Sequence, residues 1–313
     1  MVKIFVTGGA GFIGSVLVEK LLAEGDEVTV YDNLSSGKEE LIKQHFSNPR
    51  FEFIKGDTLD LDKLKKTVKG HDLVFHLAAN PDIAKGAIQT DLDLKEGAIA
   101  TYNVLEAMRV NGVRKIVFTS SSAVYGDQEH AVTSESFGPL LPISFYGAGK
   151  LAGEALVSAF CNMYDVQGWI FRFANITGRN STHGVTFDFI KKLRKDQKEL
   201  EILGDGTQSK SYIYVDDCVD AMLFIMKKSN EKINLYNICS EDFIDVKSIA
   251  DIIVKQIGLK DVKYRFTGGR GGWKGDVPKV RMDGTKLKKL GWTPKLTSKG
   301  AIEKTVSWIL SNT

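Results

Sequence analysis

Hydrophobic positions along the first half of this chain alternate between two periods. Short β-branched and aromatic runs at 2–6, 27–31, 51–54, 73–77 and 115–119 have the length and composition of buried strands. Segments near 15–24, 60–67, 92–111 and 146–164 repeat their apolar positions at helical spacing. Such alternation predicts an α/β fold, a doubly wound parallel sheet whose strands are joined by crossover helices. The run 169–173 adds a sixth strand, and then the rhythm breaks. Residues 176–211 mix Gly, Ser, Lys and Asp around one basic helix. Residues 212–240 give a strand at 212–215, a helix at 218–227 and a strand at 235–238. A helix at about 246–257, a glycine-rich loop at 268–275 and a C-terminal helix follow. This organisation predicts a large domain of 1–175 plus about 212–240. A smaller, discontinuous α/β domain takes about 176–211 plus 241–313.

The first strand runs directly into Thr7-Gly8-Gly9-Ala10-Gly11-Phe12-Ile13-Gly14 and then an amphipathic run from Val16 to Leu22. Strand, glycine turn and helix in that order make a loop whose backbone can press against a pyrophosphate at a helix N-terminus. The second strand ends in Asp32, where a carboxylate can accept both hydroxyls of an adenosine ribose. Together these predict a dinucleotide, bound by a Rossmann-type sheet in the larger domain. The smaller domain is then the one for substrate.

Composition narrows the picture by exclusion. The 313 residues carry a net charge of only +3, which gives no reason to expect bulk nucleic-acid binding, and the lysines of 191–198 read as a solvated helix face. No apolar stretch reaches the roughly 18 residues of a membrane span, and the N-terminus reads as a strand and not a signal peptide. Cys161, Cys218 and Cys239 lie far apart in apolar contexts, the pattern of buried thiols in a reducing cytoplasm. No metal site is expected: His71, His76, His130 and His183 lack ligand spacing with one another, and His45 stands alone.

Tyr146-Gly147-Ala148-Gly149-Lys150, downstream of Ser120-Ser121-Ser122, places a tyrosine and a lysine on one helical face. An ammonium roughly 4 Å from a phenol, at an effective dielectric near 20, is worth about 4 kcal/mol. That is roughly three pKa units, enough to bring the phenol near neutrality. A phenolate so tuned can take the proton of a sugar hydroxyl whose carbon gives up hydride.

With these residues the chain resembles the extended short-chain dehydrogenase/reductase superfamily, and within it the nucleotide-sugar epimerases of the UDP-glucose 4-epimerase type. The resemblance spans nearly the whole chain. It rests on the glycine turn, Tyr31-Asp32-Asn33-Leu34, Gly56-Asp57, His76-Leu77-Ala78-Ala79 and Thr101-Tyr-Asn103-Val-Leu-Glu-Ala107. Further on come Ser120 to Gly126, Tyr146-x-x-x-Lys150, Arg172-Phe-Ala-Asn175, Tyr214-Val-Asp-Asp217 and Gly275-Asp276. It implies NAD as cofactor and 4-epimerisation of a UDP-hexose through a 4-keto sugar, with Ser121, Tyr146 and Lys150 as the catalytic set. The implied cofactor contacts are Gly8, Gly11, Phe12, Ile13, Gly14, Asp32, Asn33, Asp57, Thr58, Leu77, Ala78, Ala79 and Ser120, besides Tyr146 and Lys150. The implied substrate contacts are Ser121, Tyr146, Asn175, Lys210, Arg270, Asp276 and Val280. It also implies a cytoplasmic homodimer formed through the helices near 92–111 and 146–164.

Some departures from the family pattern refine these expectations. Sugar dehydratases carry Asp-Glu directly after the serine or threonine position; Ser122-Ala123 stands here and argues against elimination of water. Gly97 replaces an asparagine usual near the cofactor, and Gly149 replaces a serine. The glycines at 147, 149 and 153 cost helix propensity, so a close approach by cofactor or by another helix is expected there. Lys210 replaces an arginine that grips the diphosphate, and Trp273 another cation, leaving Arg270 or Lys274 as substitutes. Val280 stands where a small side chain leaves room for a 2-acetamido group. Asp32 without a following arginine favours NAD over NADP. Other nucleotide sugars, uronic acids among them, and a non-catalytic NAD-binding role are the alternatives.

Overall fold

The structure is a computed structural model that describes residues 1–129 and 131–312; His130 and Thr313 lie outside the described residues. The chain forms two compact units. The first comprises Met1–Val124, Ser144–Arg172 and Met226–Tyr236. It is built on a seven-stranded sheet of β1 (Lys3–Thr7), β2 (Glu27–Asp32), β3 (Phe51–Lys55), β4 (Leu73–His76), β5 (Lys115–Ser121), β6 (Gln167–Phe173) and the strand Ile233–Ile238. From one edge the order is Ile233–Ile238, β6, β5, β4, β1, β2, β3. β1 pairs in parallel with both β2 and β4, so the strand order reverses beside the first strand. In sheets of this kind that reversal opens a crevice at the carboxyl ends of the strands, where the glycine turn lies.

The predicted strands and crossover helices are present as α1 (Phe12–Ala23), α2 (Leu61–Thr67), α4 (Ala100–Asn111) and α5 (Phe145–Tyr164), with a short α3 (Ile83–Ile88) that the pattern did not show. Local chemistry sets their ends. The Asp60 carboxylate accepts the Lys63 N–H at 3.0 Å to start α2, and the Ser144 hydroxyl accepts the Gly147 N–H at 3.1 Å to start α5. Phe5, Tyr31, Leu64, Met108, Ile116, Phe118 and Val157 fill the core between helices and sheet.

One segment departs from the expected regular helix. Over 92–111 the chain makes a π-helical turn, Leu94–Ile99, before settling into α4. This turn lies where α5 comes against it with backbone meeting backbone. A Cβ on Gly97 would stand 3.0 Å from the Gly149 Cα, and a Cβ on Gly149 only 2.6 Å from the Asp93 carbonyl oxygen. One turn further along α5, a Cβ on Gly153 would stand 2.4 Å from the Phe118 ring. The two departures at 97 and 149 are therefore halves of one contact. The helix glycines serve close approach to a neighbouring helix at 149 and to the sheet at 153.

The second unit comprises Tyr125–Ile143, Phe173–Ile225 and Asn237–Thr313, apart from the two undescribed residues. Helices Val185–Lys195, Val246–Ile257 and Ser298–Asn312 close over Leu200, Tyr212, Ile244 and their own apolar faces. Its strands are short. Ser209–Lys210 lies between Ile244–Asp245 and Lys279–Val280, Asn175–Thr177 pairs with Tyr212–Tyr214, and Glu199–Ile202 pairs with Lys263–Phe266. Among the described residues no helix is long and apolar enough to cross a membrane.

The backbone contact at Gly149 yields a stability test. Gly149→Ser, the residue usual in the family, is expected to lower the unfolding free energy by about 1–3 kcal/mol, because its Cβ has no space. Gly300→Ala, whose Cβ would meet atoms at 3.4 Å or more inside a helix, is expected to be neutral or mildly stabilising. Urea titrations of both variants check the pair, and an unchanged midpoint for Gly149→Ser would refute the contact.

Candidate active site

The glycine turn is shaped by the absence of side chains. Gly8 has φ +72°, and a Cβ there would come within 2.7 Å of the Ala78 nitrogen. Gly11 starts α1 without a side-chain cap, which leaves the positive end of the helix dipole to face an anion. Asp32, buried at the end of β2, accepts the Ala10 N–H at 3.1 Å and the Leu34 N–H at 2.8 Å, one on each oxygen. Each carboxylate oxygen keeps a further lone pair, so the group can still receive ribose hydroxyls. Asn33 donates its amide to Asp57 at 3.1 Å, and the Thr58 carbonyl accepts from Asn103 at 3.0 Å. Leu77 and Ala78 are tied to Thr7 through backbone N–H donors. A phosphate-bearing dinucleotide fits this cradle on geometry and charge.

α5 brings the catalytic candidates to the end of β5. Lys150, 5% exposed, donates to the Thr119 carbonyl at 2.7 Å and lies 5.2 Å from the centre of the Phe118 ring. Tyr146 keeps part of its ring open while its hydroxyl is enclosed and hydrogen-bonded with Ser121. The Ser121 hydroxyl also accepts the Ala123 N–H at 3.2 Å. Ser121, Tyr146 and Lys150 thus lie in one neighbourhood, Tyr146 and Lys150 as their spacing suggested and Ser121 as the resemblance implied.

The electrostatics differ from the expectation of a phenol near neutrality. Enclosure pushes the Tyr146 phenol up to about 12; the Ser121 hydrogen bond works against the rise and the Asp93 carboxylate adds to it. Burial brings the Lys150 ammonium down to about 8, opposed by Asp93 and Glu154. Helical spacing alone places the ammonium close to the phenol, whereas it stands 5.8 Å from the Tyr146 ring centre and is engaged by a carbonyl. Desolvation of both groups outweighs their attraction.

Four further residues belong to this environment. Glu154 and Arg172, 7% and 3% exposed, form a two-pronged ion pair at 2.9 and 2.7 Å, and Ser120 donates its hydroxyl to Glu154 at 2.5 Å. Ser120 was expected at the cofactor; here its hydroxyl serves the ion pair. Glu154 was legible as the third member of the 146, 150, 154 series on one helix face. Asp93 carried no sequence signal. Its Oδ1 accepts from Asn80 at 3.0 Å, and its buried Oδ2 has no hydrogen-bond partner among the described residues. His76, fully buried between Thr7 at 2.7 Å and Thr101 at 3.1 Å, is brought down to about 3 by burial and stays neutral.

Most of the predicted substrate contacts cluster inside the second unit. Lys210 pairs with Asp276 at 2.7 Å beneath Trp273, whose ring centre is 5.4 Å from the ammonium. Val280 lies beside Lys210 in strand register. Asn175 donates its backbone N–H to the Ser211 carbonyl, one residue along. Arg270 does not join Lys210; it pairs with Glu129 at 3.2 Å and Asp127 at 3.6 Å.

Comparison with known proteins agrees with this build. Residues 4–239 match the family model of the NAD dependent epimerase/dehydratase family. The UDP-glucose 4-epimerase of Mycolicibacterium smegmatis is 34% identical over 313 residues, 98% of each chain. A crystal structure of a UDP-galactose 4-epimerase superposes with a TM-score of 0.89 at 40% identity, covering 99% of both chains. The UDP-glucose 4-epimerase of Thermotoga maritima, solved with UDP-glucose, gives 0.88 at 33% identity, again over 99% of both.

The buried ammonium makes stability depend on pH in a definite direction. The folded value of about 8 lies below the ordinary 10.5 of the unfolded chain, so between these the unfolded state binds the extra proton. The stability contributed by this group therefore rises with pH through that window. Wild type is expected to gain about 3 kcal/mol relative to Lys150→Met between pH 8 and 10.5, read from urea titrations at each pH. A constant difference between the two proteins would contradict the burial of a charged Lys150.

Proposed function

The chain belongs to the NAD dependent epimerase/dehydratase family, and on that premise we propose that it interconverts UDP-glucose and UDP-galactose by inversion at C4. It is an NAD-dependent enzyme that epimerises a nucleotide sugar. The observation that carries the finer reading is the enclosed Ser121–Tyr146–Lys150 group with Ser122-Ala123 beside it. That group can move one proton at a hydroxyl, and Ser122-Ala123 stands directly after Ser121 in place of an acid and a base for elimination of water.

In this reaction Ser121 orients the C4 hydroxyl and Tyr146 takes its proton. NAD, held at the glycine turn, Asp32 and Lys150, would supply a reversible acceptor for the C4 hydride, with no net oxidation. Tyr146 then returns the proton to the 4-keto sugar once the other face is presented. A phenol raised by enclosure suits the second half, where it acts as the acid. The Lys150 ammonium beside it favours the phenolate in the first half. Lys150 is also the residue to hold the nicotinamide ribose, and Asp32 with Asn33 and Asp57 the adenosine end. We assign NAD to the domain of 1–175 plus about 212–240 and the nucleotide sugar to about 176–211 plus 241–313. Lys210, Asp276, Asn175 and Val280 are the contacts proposed there. Arg270 remains a further candidate for the diphosphate. The small Val280 side chain supports acceptance of a 2-acetamido sugar.

Proton NMR of the purified protein with UDP-glucose and no added NAD is expected to show a growing galactose-type anomeric signal at constant total sugar. Tyr146→Phe is expected to lower kcat by about 100-fold or more. UDP-N-acetylglucosamine is expected to turn over as well. Silence with UDP-glucose, before and after NAD is added, would refute the UDP-glucose reading and direct the search to other nucleotide sugars.

The outer faces of α4 and α5 expose Tyr102, Val110, Met163 and Tyr164. An apolar face of this kind supports a homodimer in which the two helices pack on their copies. Sedimentation is expected to give the dimer mass, and Met163→Glu to shift it toward monomer; a monomeric wild type would remove the proposal.

A further inference from the structure

Tyr146 and Lys150 lie one turn apart on α5, and the same face continues to Glu154, a residue the reaction leaves without a role. Its carboxylate is deeply buried and fully engaged. Arg172 of β6 reaches it with a two-pronged contact at 2.9 and 2.7 Å, and the Ser120 hydroxyl of β5 donates to it at 2.5 Å. One turn earlier, Lys150 donates to the Thr119 carbonyl at 2.7 Å. Residues 119 and 120 of β5 are thus each tied to α5 immediately before Ser121, the hydroxyl that meets Tyr146. A buried ion pair is an expensive way to join a helix to a sheet, since apolar residues of similar volume usually do it equally well.

We propose that Glu154 is a positioning residue of the active site. Braced by Arg172 and Ser120, it fixes the depth of α5 against the end of β5 and provides a buried counter-charge to Lys150. Taking Tyr146 and Lys150 as the reacting pair, this inference rests on the active-site reading and not on which nucleotide sugar is the substrate. The groups that face Lys150 are few. Glu154 and Tyr146 lie on its own helix, Asp93 precedes the π-turn, neutral His76 comes from β4, and Arg172 of β6 stands beyond Glu154. Glu154 and Asp93 both favour the ammonium over the free amine. Without Glu154, Lys150 loses its proton at lower pH.

The test compares Glu154→Gln with the double variant Glu154→Gln/Arg172→Gln, which removes both charges together and leaves neither unpaired. Ser120→Ala serves as a third variant that alters no charge. In Glu154→Gln, kcat is expected to fall roughly 10- to 100-fold, with KM for the nucleotide sugar within about threefold. The alkaline limb of the kcat profile is expected to move to lower pH. NMR of protein labelled with [ε-13C]lysine, assigned through Lys150→Arg, should show the Lys150 midpoint lower by roughly half a unit or more in both Gln variants. It should be unmoved in Ser120→Ala. The double variant should regain thermal stability relative to Glu154→Gln but not kcat. Recovery of kcat together with stability in the double variant would reduce the pair to a structural brace and overturn the proposal. An unchanged Lys150 midpoint in the Gln variants would overturn it as well. Should wild type epimerise no nucleotide sugar, the reading of the substrate fails, while the Lys150 midpoint still decides the role of Glu154.

Discussion

The depth at which α5 lies against its neighbours is the constraint on which the catalytic half of this protein depends. Gly149 allows its backbone to touch the π-turn at Gly97 and Asp93, and Gly153 allows it to lie on the Phe118 ring. Any side chain at either position would lift the helix by a fraction of an ångström or more. Tyr146 and Lys150 ride on that helix, and their reach to Ser121 and Thr119 is set by the same distance. The helix propensity lost at the glycines is small beside the contacts that close approach allows. Burial of Lys150 and of the Glu154–Arg172 pair follows from the same approach.

Burial then sets the chemistry. Two titratable groups brought out of water shift in the directions that favour their neutral forms, the phenol upward and the ammonium downward. Asp93 and Glu154 counter the second shift and Asp93 reinforces the first. The outcome is a candidate site whose proton inventory is governed first by desolvation, with the buried carboxylates of Asp93 and Glu154 opposing the shift of the lysine. Desolvation here is a consequence of packing, so a change at a glycine can act on a pKa without touching any charged residue.

The sequence made the fold legible wherever the signal is local. Strand runs, crossover helices, the glycine turn and the acid at Asp32 are read from neighbours a few residues apart, and the structure has them within a few residues of the expected limits. The shared face of Tyr146 and Lys150 was equally readable, because helical spacing fixes it. What spacing cannot give is depth, and the estimate of a near-neutral tyrosine erred for that reason. The π-turn was hidden because it belongs to a contact between residues 97 and 149, which no local window contains. Glu154 continues the same spacing, but spacing alone gives it no partner. Its ion-pair partner, Arg172, lies on β6, outside any local window.

The two units divide their polar groups in different ways. In the first, Lys150, Glu154, Arg172, Asp93 and His76 are all buried and nearly all hydrogen-bonded. Groups held so firmly suit a proton transfer whose geometry must not vary, since a small misplacement is costly in rate. In the second, Trp273 and Arg270 sit exposed on a glycine-rich loop, while Lys210 and Asp276 form a largely buried pair. Loops of this kind change more freely than the scaffold that carries them. Firmly held groups in the first unit and a more open loop in the second are an arrangement in which one fold can keep its chemistry while its loops change.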